Sequence, residues 1–376
     1  MVDDVVLWTV LLIGLTLGFF TLPLLPAFVE WYRKTDAEPL QVVRERDTNV
    51  RQFAQSFRNQ LLTLFAKYGI NPLQPLDSFQ GFWRQDDTFY FIGPNRAPRF
   101  SAEEQASRRV RQLVVSCSDL RLPDDMVFEQ EVYAGGALYC GQASTFRAIY
   151  SDRRIEIAED CAVARWGHGT ELVRAASRCR LLGRLTSDRR VIIGAGVQFE
   201  RMHAPVIVTG VEFQPPSFLP IRREPWKPPA AGITLDTGTL LFTDSITIPA
   251  AQIVRDQLVS KGTLTIGENS KMYGSLKAYR LLRIGRRSIV RGALVCHGKI
   301  HIEEGCAIAG PIIAEDSVYI SSGCMIGTRT LQTTVTAPRI ILSTGVCLSG
   351  TVWATREGGV QLAGIASDYS RSVAGG

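Results

Sequence analysis

Ile302–Ile320 reads IEEGCAIAGPIIAEDSVYI, and the spacing within this stretch decides the fold. Counting from Ile302, apolar or small residues stand at Cys306, Ile308, Ile312, Ala314 and Val318, and Ile320 opens the next cycle. Steps of four and two alternate, and the cycle closes after 18 residues. A step of two is an extended strand with both side chains on one face. A step of four carries the chain round a corner to a new strand, so three such units close one triangular turn.

The register continues backwards. Ile284 leads to Ser288, Val290, Leu294, Cys296 and Ile300; Ile266 leads to Ser270, Met272, Leu276, Ala278 and Leu282; Ile248 leads to Gln252, Val254, Leu258, Ser260 and Leu264. Charged residues, among them Arg283, Arg286, Lys299, Glu303 and Asp316, fall between these positions. The N-terminal half repeats the pattern from starting points 122, 140, 157, 175 and 193, one interval being a residue short. Beyond Ile320 the interval stretches to 22, with a longer loop near residues 328–338. Such turns bury a core only by stacking. The spacing predicts an all-β chain, a parallel β-helix of 18-residue coils in two lobes, 119–213 and 233–353. At about 4.8 Å per coil, roughly twelve coils make a rod of about 55–60 Å. Residues 214–232 interrupt it: Gln214 to Ala230 holds six prolines, which cannot donate to a strand ladder. That insertion is either a passive loop or a docking element that presents Trp226 among basic neighbours. The tail, 354–376, is expected to be flexible.

Upstream lies a membrane anchor, 1–34. Val5 to Val29 is 25 residues without a charge, long enough to span the hydrocarbon core as a helix. Asp3 and Asp4 precede it, Arg33 and Lys34 follow, and it lacks the basic start and small-residue cleavage site of a signal peptide. The positive-inside rule then places the N-terminus outside and the β-helix in the cytoplasm. In the connecting region, 35–118, apolar residues at Val50, Phe53, Phe57, Leu61, Leu64 and Tyr68 recur at helical spacing. They predict an amphipathic helix over about 43–68, packed on the end of the body, or lying on the membrane or pairing with another copy, followed by a cap of irregular structure and short strands.

Gly274, Gly292 and Gly310 close successive second strands, and the phrases GSLKA, GALV and GPIIAE follow from them. These features resemble the bactofilins, the polymer-forming cytoskeletal proteins of bacteria. The resemblance covers a minority of the chain, and its motifs are structural. It implies a right-handed triangular β-helix that assembles end to end without nucleotide, beneath the bacterial inner membrane. It also implies a role in placing exopolysaccharide-building or exporting machinery, so a membrane glycosyltransferase or exporter is the expected partner. This chain differs from the family pattern in its spanning helix, its additional lobe and its bulky connecting region, additions expected to cover one end of the rod.

Composition excludes little: 45% of residues are hydrophobic, 21% are charged, and the net charge of +6 favours anionic partners. The eight cysteines form no CxxC pair. Cys161 with Cys179, and Cys306 with Cys324, share positions on adjacent coils, which predicts a core ladder suited to a reducing compartment. The four histidines stand at neither nucleophile nor metal spacing, so no catalytic residue, cofactor site or metal site is expected. Ile-Gly pairs such as Ile266-Gly267 are shared with hexapeptide-repeat acyltransferases, for which His297 or His301 would be the base. Arg283, Arg286, Arg287 and Arg291 make a basic stripe for acidic lipid or an acidic partner, or a solvated outer face. No aromatic stacking surface accompanies them, which argues against nucleic acid.

Overall fold

A computed structural model describes residues 2–22, 51–71, 77–83, 87–94, 96–210, 213, 215–216, 221–229, 232–235 and 239–363. The chain forms two compact units, Met1–Asn49 and Val50–Gly376. The first contributes helix α1, Val2–Thr21. Among the described residues no helix is long and apolar enough to cross a membrane. The end of the apolar run and residues 43–50 of the expected second helix lie outside the described residues.

The second unit is a parallel β-solenoid of about 13 turns. Ile248, Ile266, Ile284, Ile302, Ile320 and Leu342 pair in sequence on adjacent turns and form one inner column. Each is at most 2% exposed. Three such ladders run the length of the unit, one per face, so the inward side chains touch their counterparts above and below. Each fully buried Ile or Leu contributes roughly 1.5–3 kcal/mol of transfer free energy, which is why the period tolerates so few polar exceptions. The short N-terminal interval is absorbed at the corner between Phe146 and Ala148, where the register slips by one residue. The long C-terminal interval loops out between strands Met325–Ile326 and Thr333–Ser343. The solenoid begins earlier than residue 119, because Thr88–Ile92 already pairs in parallel with Leu113–Ser116. It also ends later than residue 353: strand Cys347–Gln361 occupies part of the segment expected to be flexible. That strand is held because it closes all three faces of the last turn.

The two lobes meet last turn to last turn. Strand Gln198–Thr209 ends the N-terminal lobe and runs antiparallel to Cys347–Gln361, with Phe199 opposite Gly358, Met202 opposite Val352 and Ile207 opposite Leu348. Two coils of one hand that meet by their final turns circulate in opposite senses, so their strands must be antiparallel. The seam therefore makes all three ladders continuous through the unit. It also sets the path of the chain. Thr209 lies at the seam, where its carbonyl accepts from the Gly345 amide, whereas the Glu224 and Trp226 amides donate to Ala251 and Ile253 at the far tip. Residues 210 and 224 therefore stand at opposite ends of the C-terminal lobe.

Both tips are partly covered. Phe100 closes the first turns against Phe128, ring centroids 5.9 Å apart. At the other tip Trp226 packs on Phe242 at 6.2 Å, and Ile233–Thr234 pairs antiparallel with Thr239–Phe242. Among the described residues, Ile246–Ile248 has a strand partner on one side only.

Candidate functional site

The surface with most structure on it is one face of the solenoid. Helix α2, Gln52–Tyr68, lies along the N-terminal half of this face, and Gly69, at φ 61°, ends it. Phe65 meets Tyr133, Phe57 meets Tyr150 and Trp166, and Phe53 meets Arg184. These partners stand on successive turns, with Tyr68 on Phe89 one end further along. Five turn intervals cover about 24 Å, and a helix of 17 residues is about 25 Å long. The match places α2 parallel to the rod axis, along the flank. None of the seats expected from the sequence, the end of the body, the membrane or another copy, is the flank, because the sequence reading assigns the outward positions of the turns to solvent. Arg51–Asp188 at 2.7 Å and Arg58–Asp152 at 3.0 Å pin the helix margins. A cleft of about 260 Å³ lies beside it, lined by Gln60, Thr63, Leu64, Lys67 and Trp83.

Beyond the seam, no helix among the described residues lies on this face. Its column of Trp166, Arg184 and Arg201 continues through Trp353, Thr336, Ile313, Val295, Lys277 and Val259 to Leu241, whereas that of Tyr133 and Tyr150 continues into Thr351 and Thr334. Ile313 is 44% and Trp353 39% exposed, so this half presents apolar side chains to its surroundings.

The four arginines of the basic stripe separate. Arg283 holds Glu303 at 2.6 Å, Arg286 lies 4.0 Å from Glu304 and Arg287 3.9 Å from Glu268. Arg291 sits on a different corner, over the ring of Tyr273 at 4.9 Å, and Lys271 lies over the same ring at 5.0 Å. Arg255, Tyr273 and Arg291 are each 18 residues apart, and among the described residues neither cation nor Lys271 has an acidic partner within ion-pair distance. Tyr273 is pushed below the usual phenol range, first by its hydrogen bond to Lys271 and then by the charges of Lys271, Arg291 and Arg255. Repeating the 18-residue interval on outward positions, rather than searching for runs of arginine, would have found this group. Trp226 is half-buried as part of the tip.

His297 holds Glu315 at 2.8 Å and stacks on Tyr279 at 4.5 Å. His301 stacks on Tyr319 at 4.7 Å, and burial, then Arg283 and Lys299, holds its pKa below the usual imidazole range. His168 is buried on the helix-bearing face with Nδ1 2.8 Å from Thr186 Oγ1. The cysteine ladder packs as a core: Cys161, Cys179, Cys306 and Cys324 are buried, and burial pushes the Cys179 thiol up to about 11. Among the described residues no group of three or more His, Cys, Asp or Glu is placed to hold a metal ion.

Fold and surface together define a three-faced parallel β-solenoid with one helix seated on its flank. No family model matches the chain, and neither a curated protein nor a solved structure matches it.

Proposed function

We propose that the chain is a membrane-anchored, non-catalytic scaffold of the bactofilin type, at the bacterial inner membrane with its N-terminus outside and its solenoid in the cytoplasm. The observation that carries this reading is the outward face on which α2 lies in one lobe and which bears no helix among the described residues in the other. A face that seats an amphipathic helix along five turns offers the same ridge spacing to a second apolar element over its other half. Support for the anchor comes from α1. Trp8, Leu11, Leu12, Leu15, Leu17, Phe19 and Phe20 are all more than half exposed, and a helix apolar on every side needs lipid or protein around it. The family resemblance suggests a membrane glycosyltransferase or exporter as the organised partner. Phe100 and Trp226 cover part of each tip, so self-association through the rod ends falls on strands with a partner on one side only, Ile246–Ile248 at one tip and Leu120–Arg121 at the other, the kind of edge that pairs between copies.

Co-purification of the detergent-extracted chain, with mass spectrometry of what accompanies it, tests the reading. An enriched polysaccharide synthase or exporter supports it, and electron micrographs should then show short rods, single or joined at their tips. A chain that purifies alone, and stays soluble once residues 1–34 are removed with no change in its cellular location, refutes it.

A second reading, acyl transfer, has one observation in its favour: Glu315 orients the His297 ring as a carboxylate orients a general base. Trimers in solution and calorimetric binding of acetyl-CoA would favour it, and monomeric rods with no such heat would reject it.

A further inference from the structure

Arg184 and Arg201 are register partners on neighbouring turns, beside the seam and outward on the helix-bearing face. The Arg184 guanidinium lies 4.7 Å from the ring of Phe53 in α2. That of Arg201 lies 4.9 Å from the ring of Trp353, across the seam. Each group is thus sheltered on one side by an aromatic face, and both side chains are half-buried. Neither forms an ion pair among the described residues, although carboxylates neutralise Arg51, Arg58 and Arg178 nearby along the same lobe. Nε of Arg201 is shut off from solvent and has no acceptor.

Like charges placed opposite each other on paired strands destabilise a sheet, and a buried donor without an acceptor is costly. Burial, followed by the charge of Arg184, holds the Arg201 guanidinium below its usual range, with Glu200 acting in the opposite direction. The remaining polar groups at this corner do not supply the missing negative charge. His203 is bonded through Nδ1 to Thr351 Oγ1 at 2.9 Å, and Arg51 is taken by Asp188. Helix α2 starts here without a side-chain cap and with no acidic residue in its first turn, and a helix N-terminus carries positive potential.

We propose that Arg184 and Arg201 together bind a phosphate group at the seam between the lobes, gripping its oxygens with two guanidinium forks whose outer faces are backed by Phe53 and Trp353. Guanidinium geometry suits bidentate contact with phosphate oxygens, and two unpaired cations one turn apart match a dianion. The phosphate belongs either to a soluble phosphorylated molecule or to the headgroup of an acidic lipid. The site stands independently of the scaffold reading.

Thermal unfolding of the full chain in neutral detergent tests it, in sodium phosphate against sodium chloride of equal ionic strength. Phosphate should raise the Tm of the parent and of Arg283→Gln, which changes a residue on the ion-paired corner, beyond the chloride value. That extra rise should vanish in Arg184→Gln and in Arg201→Gln, since only a ligand bound to the folded form stabilises it. Stabilisation by glycerol phosphate alone assigns a soluble ligand, and stabilisation by short-chain phosphatidic acid alone assigns a lipid headgroup; either result supports the site. An extra rise of the same size in parent and variants, or none in the parent, overturns it. If a glutamine variant does not fold, phosphorus NMR of inorganic phosphate decides. Line broadening by the parent should weaken in Arg201→Lys, which keeps the charge and loses the fork, and unchanged broadening overturns the proposal.

Discussion

Gly274, Gly292 and Gly310 stand at one corner of three successive turns, where backbone lies directly on backbone. A Cβ on Gly292 would meet the Gly274 carbonyl oxygen at 2.3 Å, and a Cβ on Gly310 would meet that of Gly292 at the same distance. Nothing at such a corner can give way except the turn itself. Gly292→Ala should therefore cost about 1–3 kcal/mol, the usual penalty for overpacking, whereas Gly359→Ala, with its nearest neighbour at 3.6 Å, should leave the urea midpoint near that of the parent. Equal shifts in the two variants would show that close stacking is not the reason for these glycines. Titration offers a second prediction at this scale. Burial is the main cause that holds both His168 and His203 below the usual imidazole range. The unfolded chain then binds protons that the folded chain refuses. Stability is full above about pH 6.5 and declines as the pH falls through that value. Urea midpoints at about pH 7.5 and 5.5 should differ in this direction, and His168→Gln should reduce the difference while His203 and His301 keep part of it.

Helix α2 is an element whose existence can be read from the sequence and whose seat cannot. Val50, Phe53, Phe57, Leu61, Leu64 and Tyr68 announce the helix by their spacing. Its bed consists of Tyr133, Tyr150 and Trp166, which the 18-residue period places on the outside of the turns. A period states which side chains face inward; it says nothing of what lies on those that face outward. For the same reason the arginines could be located by number, while the ion pairs of Arg283, Arg286 and Arg287 with glutamates on other turns appear only once the turns are stacked. Phe57→Ala removes the ring that bridges Tyr150 and Trp166, and truncating a buried Phe costs about 3–5 kcal/mol. The loss should fall on the docked helix. Hydrogen exchange should show the amides of residues 52–68 losing protection while those of the inner ladders keep theirs; uniform loss would mean that helix and solenoid unfold as one.

At the scale of the whole molecule, the repeat predicted the three faces and the inner columns closely, and gave no hint that the second lobe is inverted. Periodicity carries no direction, so a chain that keeps winding and a chain that turns back yield the same spacing. Inversion makes the seam a place where turns stack through residues more than 130 positions apart in the chain. Met202, fully buried between Leu185 and Val352, belongs to that place. Met202→Asp inserts an unpaired charge there and should split a single calorimetric transition into two, because stacked repeats couple only to their neighbours. A single transition at lowered temperature would show the lobes still joined. The same arrangement bears on how the chain is made. When the ribosome has completed Gln198–Thr209, its partner Cys347–Gln361 has yet to be translated. At about 5–20 residues per second the wait lasts roughly 10–30 s. Throughout it the nascent first lobe shows a bare strand edge three faces wide, open to chaperones and to neighbouring chains on the same message.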